Sequence, residues 1–307
     1  MVARARAREV STARFLRLAT YAVLALFVVV TTGAVVRLTA SGLGCDNWPR
    51  CGSTPFPEKG GHALIEFGNR VIAFGSIVLT LVVWLAARRV ATVPVWLRRV
   101  ALAVWLGTVA QIPLGGVTVI FDLHPLLVMS HFLLALVVLA GAVVVAVEAW
   151  SLDAGRAGPV GPVWWREVAL VGLPVCLALV VTGAVSSASG PHSGGQDIRR
   201  LGLGIVDTVY VHVRVAAIFG IGFLVFASWL VRHRREARGV AALGGILLAL
   251  LVGQMVLGEV QYRSHLPWGL VLVHVMLAAS VWSTTVAIAY AVWRPPAPLV
   301  SAAPRSQ

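Results

Sequence analysis

Long apolar runs separated by short polar breaks dominate this chain from end to end. Eight of them, roughly 15–38, 64–86, 97–120, 126–147, 166–188, 207–231, 239–260 and 268–293, are long enough to cross a bilayer as helices, which takes about 20 residues each. None shows the alternation of apolar and polar positions that a barrel strand needs, and each is too continuously apolar for one. The pattern predicts an all-α integral membrane protein with eight transmembrane helices.

The pattern also repeats. Gln111-Ile-Pro-Leu-Gly115 leading to His131 returns 143 positions later as Gln254-Met-Val-Leu-Gly258 leading to His274, with 20 residues from Gln to His each time. Thr32-Gly-Ala-Val35 followed by Ser41-Gly42 returns as Thr182-Gly-Ala-Val185 followed by Ser189-Gly190. Each half thus holds four helices, an even number that preserves orientation, so two parallel four-helix repeats are expected. The N-terminal half is 1–150, the polar Gly/Pro-containing linker 151–162, and the C-terminal half 163–307.

Composition agrees with that reading. An apolar share of 59% against 12% charged residues, with a mean hydropathy of +0.88, excludes a soluble enzyme. The net charge of +13 does not point to nucleic acid, because of where it sits. Arg4, Arg6, Arg8, Arg14 and Arg17 precede the first helix, Arg88, Arg89, Arg98 and Arg99 join the second and third, and Arg232, Arg234, Arg235 and Arg238 join the sixth and seventh; Lys59 is the only lysine. Eight crossings put these arginines on one side. The positive-inside rule then predicts a multi-pass protein of the cell membrane with both termini cytoplasmic, and contact with anionic lipid follows from the same charges. The first run is too long for a signal-peptide core, and its end is copied in the second half.

Ionisable residues inside apolar runs are expensive and point to function. His131 and His274 share one register, and His212 lies at the same offset from Asn69, so the second half offers two imidazoles where the first offers one and an amide. From the runs above, each lies five or six positions inside its helix, roughly 7 to 9 Å deep. Paired imidazoles at one depth suit an iron porphyrin held from both faces, an electron-transferring heme. The competing reading is that these histidines are buried hydrogen-bond donors joining helices. Spacing alone does not separate heme from copper or another metal.

The run from Thr32 through Arg37 to Cys45 and Cys51, then Ile65-Glu66-Phe-Gly-Asn69-Arg70, then the two Gln-to-His blocks, resembles the heme A synthase family of terminal-oxidase assembly. The resemblance covers about 31–285. It implies an eight-helix, two-half oxidoreductase acting on a CH or CH2 group, which oxidises the C8 methyl of heme O to the formyl of heme A in terminal oxidase biogenesis. By that resemblance His212 and His274 ligate the iron of heme b, His131 is the first-half ligand for the substrate heme, and Glu66 is the catalytic carboxylate at the reacting site. The partners it implies are heme O, the heme O synthase that supplies it, the lipid bilayer and an electron acceptor outside the chain, with assembly into a homo-oligomer left open. Many family members carry histidine where this chain has Asn69. An amide is a poor iron ligand beside imidazole, so an iron bound by His131 alone, with one open face, is expected. His62 and His124 are the alternative donors, against solvated or propionate-binding roles.

Other residues carry two readings each. Glu66 has Arg70 four positions on as a ready ion-pair partner, against a role in moving protons during methyl oxidation. Glu259 corresponds to Gly116 and so is not the counterpart of Glu66. Cys45 and Cys51 lie in a loop on the outer, oxidising side, and a disulfide is expected, either to pin the loop or to exchange electrons. Cys176 reads as a packing residue. Pro191 to Leu203 lacks the second cysteine pair of some family members, which argues against a thiol relay there. Arg37, Arg50, Arg70, Arg199, Arg200, Arg214 and Arg263 are candidates for heme propionates or interfacial anchors. Trp48, Trp268 and Trp293 suit interfacial belts. The alternative function is a diheme b-type membrane electron carrier linked to quinol oxidation; a transporter is disfavoured because no helices show paired mid-membrane Gly/Pro interruptions.

Overall fold

The computed structural model describes residues 9–45, 47–52, 56–57, 60–192, 194–195 and 198–300. Arg4, Arg6, Arg8 and Lys59 lie outside the described residues. Eight helices follow one another: α1 (Thr12–Leu38), α2 (Gly61–Arg89), α3 (Val95–Ile120), α4 (Pro125–Ala154), α5 (Val163–Ser189), α6 (Ile205–Arg232), α7 (Arg238–Arg263) and α8 (Trp268–Ala291). All eight are long and apolar enough to cross a membrane, and among the described residues no strand forms. The protein is a multi-pass membrane protein. Its outward faces carry Leu24, Phe74, Leu106, Ile218, Ile221 and Met255, apolar surface far more continuous than water tolerates.

Local chemistry sets the helix ends. Ser11 caps α1 by accepting from the Arg14 N–H at 3.3 Å. Pro94, Pro162 and Pro267 stand before α3, α5 and α8, and Pro125 opens α4, all places where a missing N–H costs nothing. The helices outrun most of the hydropathy-based limits, most of all α4. It continues through the expected linker start to Ala154, because the Ser151 hydroxyl bonds back to Val147 O at 3.3 Å and the charge of Glu148 is met inside the protein. The non-helical link between the halves therefore begins at Gly155 rather than Ser151.

In the first half α1 packs on α2 and α4, and α3 on α2 and α4; in the second α5 packs on α6 and α8, and α7 on α8. The two groups meet along α1, α4, α5 and α8, where the Trp282 indole N–H donates to Leu136 O at 2.8 Å. At the arginine-rich end, buried Glu148 accepts from Arg156, from Arg294 at 3.3 Å and from the Tyr290 hydroxyl at 2.6 Å. A lone buried carboxylate would cost roughly 3 to 5 kcal/mol, as breaking a buried pair does. Main-chain bonds from Val160 N to Val292 O (2.8 Å) and from Ala297 N to Gly155 O (2.8 Å) lay the interhalf link against the C-terminal segment. At the opposite end Arg37 donates to Ser187 O (2.8 Å) and His192 O (2.9 Å), while Gly42 N donates to Gly194 O (2.9 Å). The halves are stitched at both ends, and the site sits near the second.

Candidate functional site

The second-half chamber is built on bare helix backbone. His212 on α6 lies over Gly183 of α5, where an added Cβ would come within 3.0 Å of the ring; His274 on α8 lies over Gly258 of α7, where it would come within 3.4 Å. At Gly183 a methyl group would crowd the ring, and at Gly258 it would just meet it, so both imidazoles stand close against the backbone of the neighbouring helix. The two ring centres are 6.5 Å apart with planes at 67°. Two imidazoles sharing one metal through bonds of about 2 Å would have centres about 6 Å apart, so the observed gap has the size a shared metal requires.

The tautomer of His212 is set as well. The Thr182 hydroxyl donates to main-chain carbonyls of its own helix, Ala178 O and Leu179 O, both at 2.9 Å. Its oxygen also lies 3.2 Å from His212 Nδ1. With its proton committed, Thr182 accepts from Nδ1–H and leaves Nε2 with the free lone pair, the usual way a partner outside the metal shell prepares a ligand. His274 Nδ1 is buried without a protein partner, as is Gln254 Oε1, one turn before Gly258 on α7. Orphaned polar atoms of this kind call for a ligand or a water, and the donor set fits a porphyrin iron held between two neutral imidazoles.

The first-half chamber repeats half of this. His131 on α4 lies over Gly115 of α3, with an added Cβ 3.2 Å from the ring, and its Nδ1 is likewise buried and unpartnered. Gln111 donates to His131 O at 3.3 Å. Opposite the sequence position of His212 stands Asn69, whose Oδ1 accepts from the Thr32 hydroxyl at 2.6 Å. Gly33, the counterpart of Gly183, has nothing within 4 Å of its added Cβ. The cradle is present and no ring lies in it. Asn69, His131, His212 and His274 fall eight, six, seven and six residues beyond the first residue of their helices. That corresponds to roughly 9 to 12 Å; α2, α4 and α6 begin earlier than hydropathy implied, so their three residues lie deeper than expected, while α8 begins where expected.

Above the first chamber a closed loop is fastened down. Cys45 and Cys51 form a disulfide with an S–S distance of 2.02 Å. Glu66, buried on α2, accepts from Cys45 N at 2.8 Å through one oxygen and from Arg70 at 2.5 Å through the other. Arg70 donates onward to Pro49 O (3.3 Å) and Arg50 O (3.1 Å). Glu66 has the arginine partner expected of it, and its other oxygen faces the loop. Trp48, half-buried, lies against Gly116 of α3, where an added Cβ would be 2.7 Å from the indole. It is a packed residue of this site and not only part of an interfacial belt.

The remaining candidates divide. His62 is exposed and its Nδ1 lies 2.8 Å from Ser41 Oγ; His124 stands at the start of α4. Arg37 is engaged between the halves, Arg214 lies over the Tyr210 ring, and Arg263 pairs with Glu259 on the exposed face of α7. Arg50, Arg199 and Arg200 are exposed. Trp268 is exposed at the start of α8, and the Trp293 indole donates to Arg166 O at 3.1 Å. Cys176 is free and buried, as expected of a packing residue. Among the described residues no cluster of three or more His, Cys, Asp or Glu side chains forms. The sequence reading passed over Thr182 and the glycine cradles; the recurring Thr-Gly pair of α1 and α5 was the signal that carried them.

A family model described as cytochrome oxidase assembly protein matches residues 16–286. Among curated proteins, the chain is similar to the heme A synthase of Shewanella oneidensis, with 25% identity over 86% of this chain and 92% of that one. It is similar to the heme A synthase of Symbiobacterium thermophilum at 28% identity, over 86% and 91% of the two chains. The heme A synthase of Alkalihalophilus pseudofirmus is 23% identical over 88% of this chain and 94% of its own.

Proposed function

The chain belongs to the cytochrome oxidase assembly family, and from that premise we propose that it is a heme A synthase: a membrane oxidoreductase that converts the C8 methyl of heme O to the formyl of heme A for terminal oxidase biogenesis. The observation that carries this reading is the pairing of two glycine-cradled imidazoles, His212 and His274, with a sister chamber that has only His131. A carrier of electrons between two equivalent hemes has no use for such asymmetry.

On this reading His212 and His274 hold heme b, with Thr182 keeping the Nε2 lone pair of His212 turned toward the iron. Bound there, heme b supplies one-electron redox chemistry. His131 holds the substrate heme in the first half, 1–150, and the second half, 163–307, is its cofactor-bearing parallel repeat. Asn69, tied to Thr32, leaves the opposite face of the substrate free of a second imidazole. Glu66 is the carboxylate that accepts protons as the methyl carbon loses hydrogen, with Arg70 and the Cys45 N–H holding its two oxygens in place. The oxygen atom gained by the carbon and the electron acceptor both come from outside the chain, and a heme O synthase supplies the substrate. The arginine-rich end faces the cytoplasm across the cell membrane, which puts the disulfide on the oxidising side.

The test is to express the chain with a heme O supply and identify the extracted hemes by chromatography and mass. Hydroxylated or formyl heme is the expected product. Heme b alone, from folded protein with heme O demonstrably present, would favour the diheme carrier.

A further inference from the structure

Gly115 and Gly116 are neighbours on α3, and each has a ring laid on it: the His131 imidazole on the first, the Trp48 indole on the second. The second half keeps only the former arrangement. Gly258 carries His274, but the position matching Gly116 is Glu259, which pairs with Arg263 on an exposed face. Gly116 is buried, and the residue that lies against it comes from the disulfide-closed loop. Trp48 lies against α3 at this point, whereas the matching position of α7 carries an exposed carboxylate.

The loop that carries Trp48 is held from both sides of the indole. Before it, Cys45 N is bonded by Glu66; after it, the carbonyls of Pro49 and Arg50 are bonded by Arg70; and Glu66 and Arg70 bond each other at 2.5 Å. One carboxylate and one guanidinium thus fix the main chain around one side chain through three hydrogen bonds. Glu66 lies about one helical turn from Asn69 on the same face of α2.

We propose that Trp48 is a substrate-positioning residue: it forms a flat aromatic wall at the mouth of the first chamber, against which a porphyrin ligated by His131 packs. A large, rigid aromatic with little rotamer entropy to lose suits a planar conjugated ligand, and offset ring packing holds such a ligand without fixing its edge chemistry. Gly116 is the seat of this wall. A methyl group there would collide with the indole at 2.7 Å and drive it off the helix. The Glu66–Arg70 pair and the disulfide act through Trp48 as well as through whatever Glu66 does to the reacting carbon. The inference rests on the reading that His131 binds the substrate heme.

The experiment uses the full chain purified from cells supplied with heme O, and measures the rate at which heme passes to excess apomyoglobin, alongside the absorption of the His212/His274 heme. Trp48→Ala and Gly116→Ala are expected to release the His131-dependent heme roughly three- to tenfold faster than wild type, the range of one aromatic packing contact. Trp48→Phe should stay near wild type, and the second-half absorption should not change in any of them. Gly116→Ala is favoured by helix propensity, and unchanged absorption of the second-half heme reports that the variant is folded. Release at the wild-type rate from both Trp48→Ala and Gly116→Ala overturns the proposal, as does equal acceleration of both hemes. Failure of the underlying reading is seen separately: a His131→Ala control with the same heme content as wild type would remove the substrate site itself.

Discussion

In the second half of the bundle Gly183 lies under the His212 ring and Gly258 under the His274 ring; in the first, Gly115 lies under His131 while Gly33 faces open space. The hydroxyls follow the same comparison. Thr182 meets a ring nitrogen, and Thr32, its counterpart, meets the amide oxygen of Asn69. The skeleton of small and hydroxyl residues is therefore retained in both halves, and the difference is confined to what stands on it. Glu66 sharpens the contrast, since the residue 143 positions later is Val209: the second half has two imidazoles and an apolar side chain at that position, the first one imidazole and a carboxylate.

The most severe way to break the comparison is His212→Ala. It should remove the low-spin heme signature of the second half and abolish formyl heme production, while His131-dependent heme binding persists in difference spectra. Next comes Glu66→Gln, which keeps an oxygen for the Cys45 N–H and removes the proton-accepting role; turnover should fall by roughly a hundredfold or more with heme content unchanged. Intact turnover would confine Glu66 to fastening the loop. Asn69→His should refill the cradle over Gly33 and make the halves alike. The first-half heme then becomes six-coordinate and low-spin by electron paramagnetic resonance, and turnover drops by roughly ten- to a hundredfold. An unchanged spin state in substrate-loaded protein would mean that Asn69 does not face the iron.

Smaller effects test the loop against its uncovered counterpart. Cys45→Ser with Cys51→Ser opens a short covalent ring and should cost about 2 kcal/mol of loop stability, read as faster proteolysis of that loop. Arg263→Ala, at an exposed ion pair beside the second chamber, should change thermal stability by less than about 1 kcal/mol and leave heme content alone.

Much of this architecture was legible from local pattern. The eight spans, the pairing of Gln111–His131 with Gln254–His274 and the mismatch of Asn69 with His212 all follow from hydropathy and register, because bilayer crossing and helix periodicity are properties of neighbouring residues. Span ends were less legible: hydropathy stops at a charge, whereas α4 runs past Glu148 because Tyr290, Arg156 and Arg294 neutralise it from elsewhere in the chain. Thr182 was hidden for a related reason. It follows Thr32 by 150 positions while His212 follows Asn69 by 143, so no single offset joins threonine to histidine, and only the packing of α5 on α6 does.

By itself the sequence determined that the chain lives in a bilayer, crosses it eight times and places three histidines and one asparagine at matched depth, since those depend on side-chain transfer energies and on helical rise. Tertiary structure alone decided that His212 and His274 face each other at 6.5 Å, that Thr182 orients one of them, that Glu66 and Arg70 hold the disulfide loop, and that Trp48 rests on Gly116. Those outcomes depend on which backbones approach closely enough to leave room for a ring, a distance between helices that no window along the chain contains.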